Sequence, residues 1–173
     1  MHIGAYLKDC PAYYGPYLAV LDPKMDLLEY MKRQLGNFPQ FLRSIPDDKW
    51  GYRYGPDKWT LAEVIVHILD AERVFQYRAL RFGRKDATPL PGFDQDAYVP
   101  ESKAAGRSGK DLIAEYEAIR QSSILLFEQF TAEDLAWKGT ASGQPMSLGA
   151  LGAIICGHQR HHRDILRARY LDL

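Results

Sequence analysis

Cysteine is scarce in this chain. Only Cys10 and Cys156 occur, 146 positions apart and in no C-x-x-C pattern, so no cysteine metal cluster is present, while a single disulfide between the two is left open by the sequence. A chain of 173 residues buries a sizeable core in one domain and needs no disulfide to hold it. No glycine-rich phosphate loop and no serine-centred nucleophile motif appears. Charge of one sign is missing too: 22 Lys+Arg meet 22 Asp+Glu. A balanced chain offers no general attraction to nucleic acid or to an anionic membrane, and neither is expected as a partner. The longest uncharged apolar window, LGALGAIICG, is about half of what a bilayer span requires. The opening MHIGAYLKDCP has no basic stretch followed by an apolar run, so a cytoplasmic location is expected.

Proline is absent from 57–88, 101–144 and 146–173, as helices require, because an interior proline removes a backbone donor and clashes with the preceding turn. The first helix is expected to open at LDPKMDLLEYM, with Asp22 as N-cap and Pro23 in the first turn, and to be kinked or broken near Gly36 and Pro39. The second opens at DKWTLAEV, where Thr60 and Glu63 make a capping box, and runs to about Phe82. The third, capped by Ser108, carries Leu112, Tyr116, Ile119, Ser123, Leu126 and Phe130 on one stripe. The fourth starts at Ser147 and continues to about Tyr170. PLPGFDQDAYVPESKAAGRSG lies between the second and third as an ordered crossing loop or lid. No run alternates with period two, so strands are not expected. The fold class is all-α, a four-helix bundle with a long crossover between helices 2 and 3.

Five histidines occur, and three of them fall within GHQRHHRDIL, residues 157–166. At about 100° per residue, His158 and His162 sit roughly 40° apart in the middle of the face that Leu151, Ile154, Ile155, Ile165 and Leu166 define. A single core histidine is ordinarily satisfied by a carbonyl or a carboxylate. Two at i and i+4 each lose hydration, and protonating both sets like charges side by side. A divalent metal resolves this by taking both neutral nitrogens. For a third ligand the candidates are His2, at a terminus; His161, which projects at a different angle; and His67, mid-helix in EVIVHILDAERVF. Cys156 reads as a small packed apolar residue rather than a nucleophile.

KWTLAEVIVHILDAE, followed about ninety residues later by GHQRHHRDIL and with PLPGFD in the crossover, resembles the DinB-like superfamily, in particular the branch with GHxxHH near its C-terminus. The resemblance covers roughly residues 22–170. It leaves residues 1–21 as an N-terminal extension and 22–173 as the DinB-like domain. It implies an up-down-down-up helix order, often in a homodimer. It also implies a divalent metal, often nickel or zinc, held by one histidine of helix 2 and an H-x-x-x-H pair of helix 4, here His67, His158 and His162. His161 falls on the non-ligand position of the HH doublet. Characterised relatives include thiol S-transferases that use bacillithiol and a mycothiol-dependent isomerase, and many others are regarded as metal-dependent hydrolases.

The function expected is therefore a metal-dependent enzyme in which a three-histidine ion activates a water or a low-molecular-weight thiol for attack on a small electrophile. That makes it a hydrolase or a thiol S-transferase. Glu63 and Asp70, one turn either side of His67, are candidate proton carriers; their plainer reading is a solvated helix face. Phe93 and Tyr98 are candidates to line a pocket over the metal, and Arg160, Arg163 and Arg167 are available for a thiol's carboxylates, although they project away from it. The alternatives are a non-catalytic metal-binding stress-response bundle and a plain bundle with structural histidines.

Overall fold

The computed structural model describes residues 2–171, so the last two residues of the span 22–173 lie outside it. Its α-helices are α1 (Gly15–Leu18), α2 (Leu27–Arg43), α3 (Leu61–Gly83), α4 (Gln95–Glu101), α5 (Gly109–Phe127), α6 (Ala132–Ala136) and α7 (Leu148–Ile165), the last continued by a π-helical turn over Leu166–Tyr170. The long helices α2, α3, α5 and α7 form the bundle. Three begin where the capping residues predict. Thr60 and Glu63 satisfy each other's backbone at the start of α3, Ser108 accepts from the Asp111 N–H, and Ser147 accepts from the Ala150 N–H.

Helix α2 differs. Its cap is Asp26, which accepts from the N–H groups of Leu28 and Glu29, and not Asp22, which accepts from Lys24 instead. The carbonyls of Pro23 and Met25 are taken by the N–H groups of Gly4 and Ile3, so the chain there pairs with the N-terminal segment and turns helical only afterwards. The helix is not broken at Gly36 or Pro39. Phe38, Pro39, Phe41 and Leu42 are all buried, and that packing outweighs the hydrogen bond the proline removes.

Contacts between helices establish their directions. Leu27 packs on Gly152 and Gln34 reaches the Cys156 carbonyl, so α2 and α7 run parallel. Lys32 pairs with Glu128 and Arg43 with Glu117, so α2 and α5 are antiparallel. Glu72 meets Arg120 and Gln76 meets Ser123, so α3 and α5 are parallel. His67 meets His158 while the Trp59 carbonyl accepts from the Tyr170 hydroxyl, so α3 and α7 are antiparallel. This is the up-down-down-up order: α2 and α3 lie on one diagonal of the bundle and α5 and α7 on the other, while α3 and α5 are parallel neighbours, so each connection has to travel far.

Strands are present, against the expectation from periodicity. Strand β1 (Lys138–Ala141) pairs antiparallel with β2 (Gln144–Ser147). Ser142 and Gly143 both have positive φ, 51° and 72°, as a two-residue type I′ turn requires. The S-G dipeptide was the available signal; four-residue strands are too short for alternation to show. The crossover docks on this hairpin through Leu90, whose N–H donates to Thr140 and whose carbonyl accepts from Ser142. Residues 3–21, expected as an extension, pack into the core through Ile3, Tyr6, Tyr14, Leu18 and Leu21.

Two apolar clusters fill the bundle, and a polar layer crosses all four long helices between them. At its centre Arg120, wholly buried, makes a two-pronged ion pair with Glu72, at 2.7 and 2.8 Å. It also donates to the Gln34 Oε1 at 2.5 Å; Ser123 donates to Glu72, and Gln34 donates to the Cys156 carbonyl. Every helix contributes a group. Removing one member of a buried ion pair strands the other charge, so Glu72→Ala is expected to cost about 3–5 kcal/mol. The double replacement Glu72→Met/Arg120→Met should recover most of that. Both changes are measured by equilibrium denaturation.

Candidate metal centre

Helix α7 keeps one phase from its cap at Ser147 to Ile165, and this stacks His158 and His162 one turn apart with ring centres 4.5 Å from each other. The antiparallel α3 brings His67 across from both, its ring 4.8 Å from His158 and 4.9 Å from His162. The His67 and His158 Nε2 atoms are 3.0 Å apart. One ligand atom from each of the three residues falls within a 4.8 Å span. His161 turns aside to the Tyr17 ring, and His2 is exposed in a backbone bridge with Asp26.

Burial makes all three imidazoles neutral. It pulls His67 down to about 4 and His162 to about 3, the latter helped by its neighbours His67 and His161. His158 is lowered well below the ordinary histidine value by desolvation, then by His162 and His67. One nitrogen of the His67–His158 pair can donate to the other, but the His162 Nε2 is buried without any partner. An unpaired buried nitrogen beside two more is costly for a plain core. The residues fit a divalent ion: two imidazole nitrogens each about 2.0–2.1 Å from one ion stand roughly 3 Å apart.

A cavity of about 970 Å³ reaches the centre, with His67 and His158 in its wall. Ala71 and Phe75 of α3 continue that wall, Phe93 and Asp94 come from the crossover, Ser142 and Gln144 from the hairpin, and Tyr13, Tyr14 and Tyr17 from the N-terminal segment. These last three were missed in the sequence, as was the hairpin. A faint signal existed in Gly157: the Tyr17 carbonyl passes so close that a Cβ there would lie 2.3 Å from it. This approach sets the Tyr17 ring 5.2 Å from His158.

Other expected residues lie elsewhere. Glu63 is committed to its helix cap, accepting from the Thr60 N–H at 2.6 Å and hydroxyl at 2.9 Å, and Asp70 faces Arg73 at 3.4 Å. Neither lines the cavity, and both are half-buried on their helix. Phe93 does line it; Tyr98 stacks behind Phe93 at 5.5 Å and is largely exposed. Arg160 pairs with Asp164 and Arg163 lies over Phe41, and neither reaches this cavity. Both cysteines are free, and burial pushes the Cys156 thiol up to about 12, which removes it as a nucleophile.

The four-helix bundle thus gathers three neutral histidines, a donor set that could hold a metal ion, beside an open cleft. The sequence profile of the DinB superfamily matches residues 30–166, and the chain belongs to that superfamily. Among solved structures it is similar to YfiT from Bacillus subtilis, described as a probable metal-dependent hydrolase with an unusual four-helix bundle topology. The TM-score is 0.71 at 15% identity over 83% of this chain and 85% of that one, a likeness of fold. No curated protein matches the chain. No helix among the described residues is long and apolar enough to cross a membrane.

Two outcomes are expected of the centre. In the metal-free chain the unfolded histidines take up protons below about 6.5 while the folded ones do not until about 4 and 3. Stability is therefore fully present above about 6.5 and falls as pH is lowered through that window; thermal melts of EDTA-treated protein should show it, with a shallower slope in His162→Leu. Gly157→Ala should cost about 1–3 kcal/mol by overpacking Tyr17 and should free the N-terminal wall for proteolysis.

Proposed function

We propose that the chain is a metal-dependent enzyme in which His67, His158 and His162 hold one divalent ion, nickel or zinc, beside a substrate cavity. The observation that carries this reading is the buried His162 Nε2, which has no partner although two neutral imidazoles stand next to it. Held by neutral ligands, such an ion keeps its full charge and lowers the pKa of a water or a thiol toward neutrality. The protein contributes placement. Its antiparallel helices aim the nitrogens at one point, and Phe75 and Tyr17 pack apolar surface around the His158 ring. Apolar walls exclude water and strengthen charge interactions within the site.

The substrate class is a small molecule attacked at an electrophilic centre, by water in a hydrolase or by a low-molecular-weight thiol in an S-transferase. YfiT, described as a probable metal-dependent hydrolase, favours the first. The alternative, a non-catalytic metal-binding bundle, leaves a cavity of this size beside the histidines without a use.

Untagged protein analysed by mass spectrometry should carry a stoichiometric divalent ion that His158→Ala loses, and stripping the ion should abolish turnover. Screening activated esters and aryl halides with and without added thiol then separates the chemistries. Turnover only with thiol means transfer, and turnover without it means hydrolysis. Protein that takes up no divalent ion after soaking would sink the proposal.

A further inference from the structure

Arg78 is a buried cation without an anion. Its side chain is 2% exposed, and its partners among the described residues are all neutral. The Nη2 donates to the Pro91 carbonyl at 2.9 Å and to the Ser142 hydroxyl at 2.8 Å, and the guanidinium lies 5.8 Å from the Phe75 ring centre and 6.0 Å from that of Phe93. The Nη1, equally buried, has no partner. The same bundle shows a completed buried arginine in Arg120, whose fork is closed by Glu72. Buried charges are as a rule paired, because the interior does not replace the hydration they lose.

What is missing is an anion, and the neighbourhood shows where one enters. Phe75, Phe93, Ser142 and Tyr14 all touch or adjoin the guanidinium, and all line the cavity that reaches His67 and His158. Arg78 itself does not line the cavity, but its neighbours Ser142 and Tyr14 do, so an oxyanion reaches the guanidinium by displacing one of their hydroxyls. The only acidic side chain lining the cavity, among the described residues, is Asp94, which caps α4 by accepting from Asp96 and Ala97 and makes no ion pair with Arg78. Arg78 follows His67 by eleven residues, three turns of one helix, so it shares the face of His67, Ala71 and Phe75 and lies roughly 16 Å further along the axis.

We propose that Arg78, with the hydroxyls of Tyr14 and Ser142 beside it, anchors an oxyanion of the substrate, so that the cavity takes an elongated small molecule with a carboxylate or phosphate at one end and its reacting group at the histidines. The forked guanidinium suits that partner. The proposal rests on the metal-enzyme reading for what happens at the far end, but the anion site itself does not depend on the metal. It also replaces Arg160, Arg163 and Arg167 as the expected donors for such a group, since Arg160 and Arg163 lie off this cavity.

The test is a titration of the full chain with glutarate, with inorganic phosphate and with uncharged glutaramide, followed by NMR. Glutarate, phosphate or both should bind and shift the Arg78 guanidinium resonance, while glutaramide should not; which of the two anions binds identifies the carboxylate or the phosphate. Arg78→Met should weaken anion binding about tenfold or more with metal content unchanged, and Arg78→Lys should weaken it less. In His158→Ala, which loses the metal, anion binding should persist. Binding that survives in Arg78→Met and vanishes in His158→Ala would place the anion on the metal and overturn the proposal. So would the absence of any shift of the Arg78 resonance in the wild-type chain, a readout that stands even if the variants do not fold.

Discussion

Arg120 carries a full charge to the centre of the bundle, where no water reaches it, and the rest of the structure is arranged to make that tolerable. Glu72 of α3 closes its fork, Gln34 of α2 takes another donor and Ser123 of α5 completes Glu72. Because Gln34 also donates to a carbonyl of α7, the four helices share one register at this level. An apolar core tolerates sliding by part of a turn; a network of directed hydrogen bonds does not. Two residues beyond that α7 carbonyl comes His158. The register set by the ion pair is thus the register in which His67 faces His158 and His162.

The same layer accounts for the chemistry of the histidines. They sit between two apolar clusters, so desolvation suppresses their protonated forms, and a third nitrogen is left with nothing to accept from or donate to. Three neutral donors converging at the wall of a large cleft are suited to a cation, and the cleft supplies access. Its walls come from five separate parts of the chain, which lets helix packing set the histidine centre while loops and the N-terminal segment shape what enters.

Much of the frame was legible from local chemistry. The capping box of Thr60 and Glu63, the caps Ser108 and Ser147 and the proline-free stretches identified the starts of three of the four long helices, because caps are decided within four residues of sequence. Asp22 misled for the complementary reason: the helix start moved to Asp26 when residues 3 and 4 claimed the backbone of residues 23–25. Pro39 forecast an interruption that burial of Phe38 and Leu42 overrode. The hairpin gave only a Ser142-Gly143 turn as its sign, and its strands owe their order to Leu90 and the helices they lie on.

The sequence by itself determined which residues share a face. Helical periodicity alone places His158 and His162 together on the buried side of their helix and turns His161 away, because that is a matter of angle per residue. What only the tertiary structure decided is everything that depends on distant segments meeting. It chose His67 over His2 and His161 as the third nitrogen, matched Glu72 to Arg120 across 48 residues, laid Tyr17 over the histidines and left Arg78 buried behind Ser142 of the cavity wall without a carboxylate. Those pairings follow from antiparallel packing, from close backbone approach at Gly157 and from the energy of burying charge, none of which acts on a chain until it has folded.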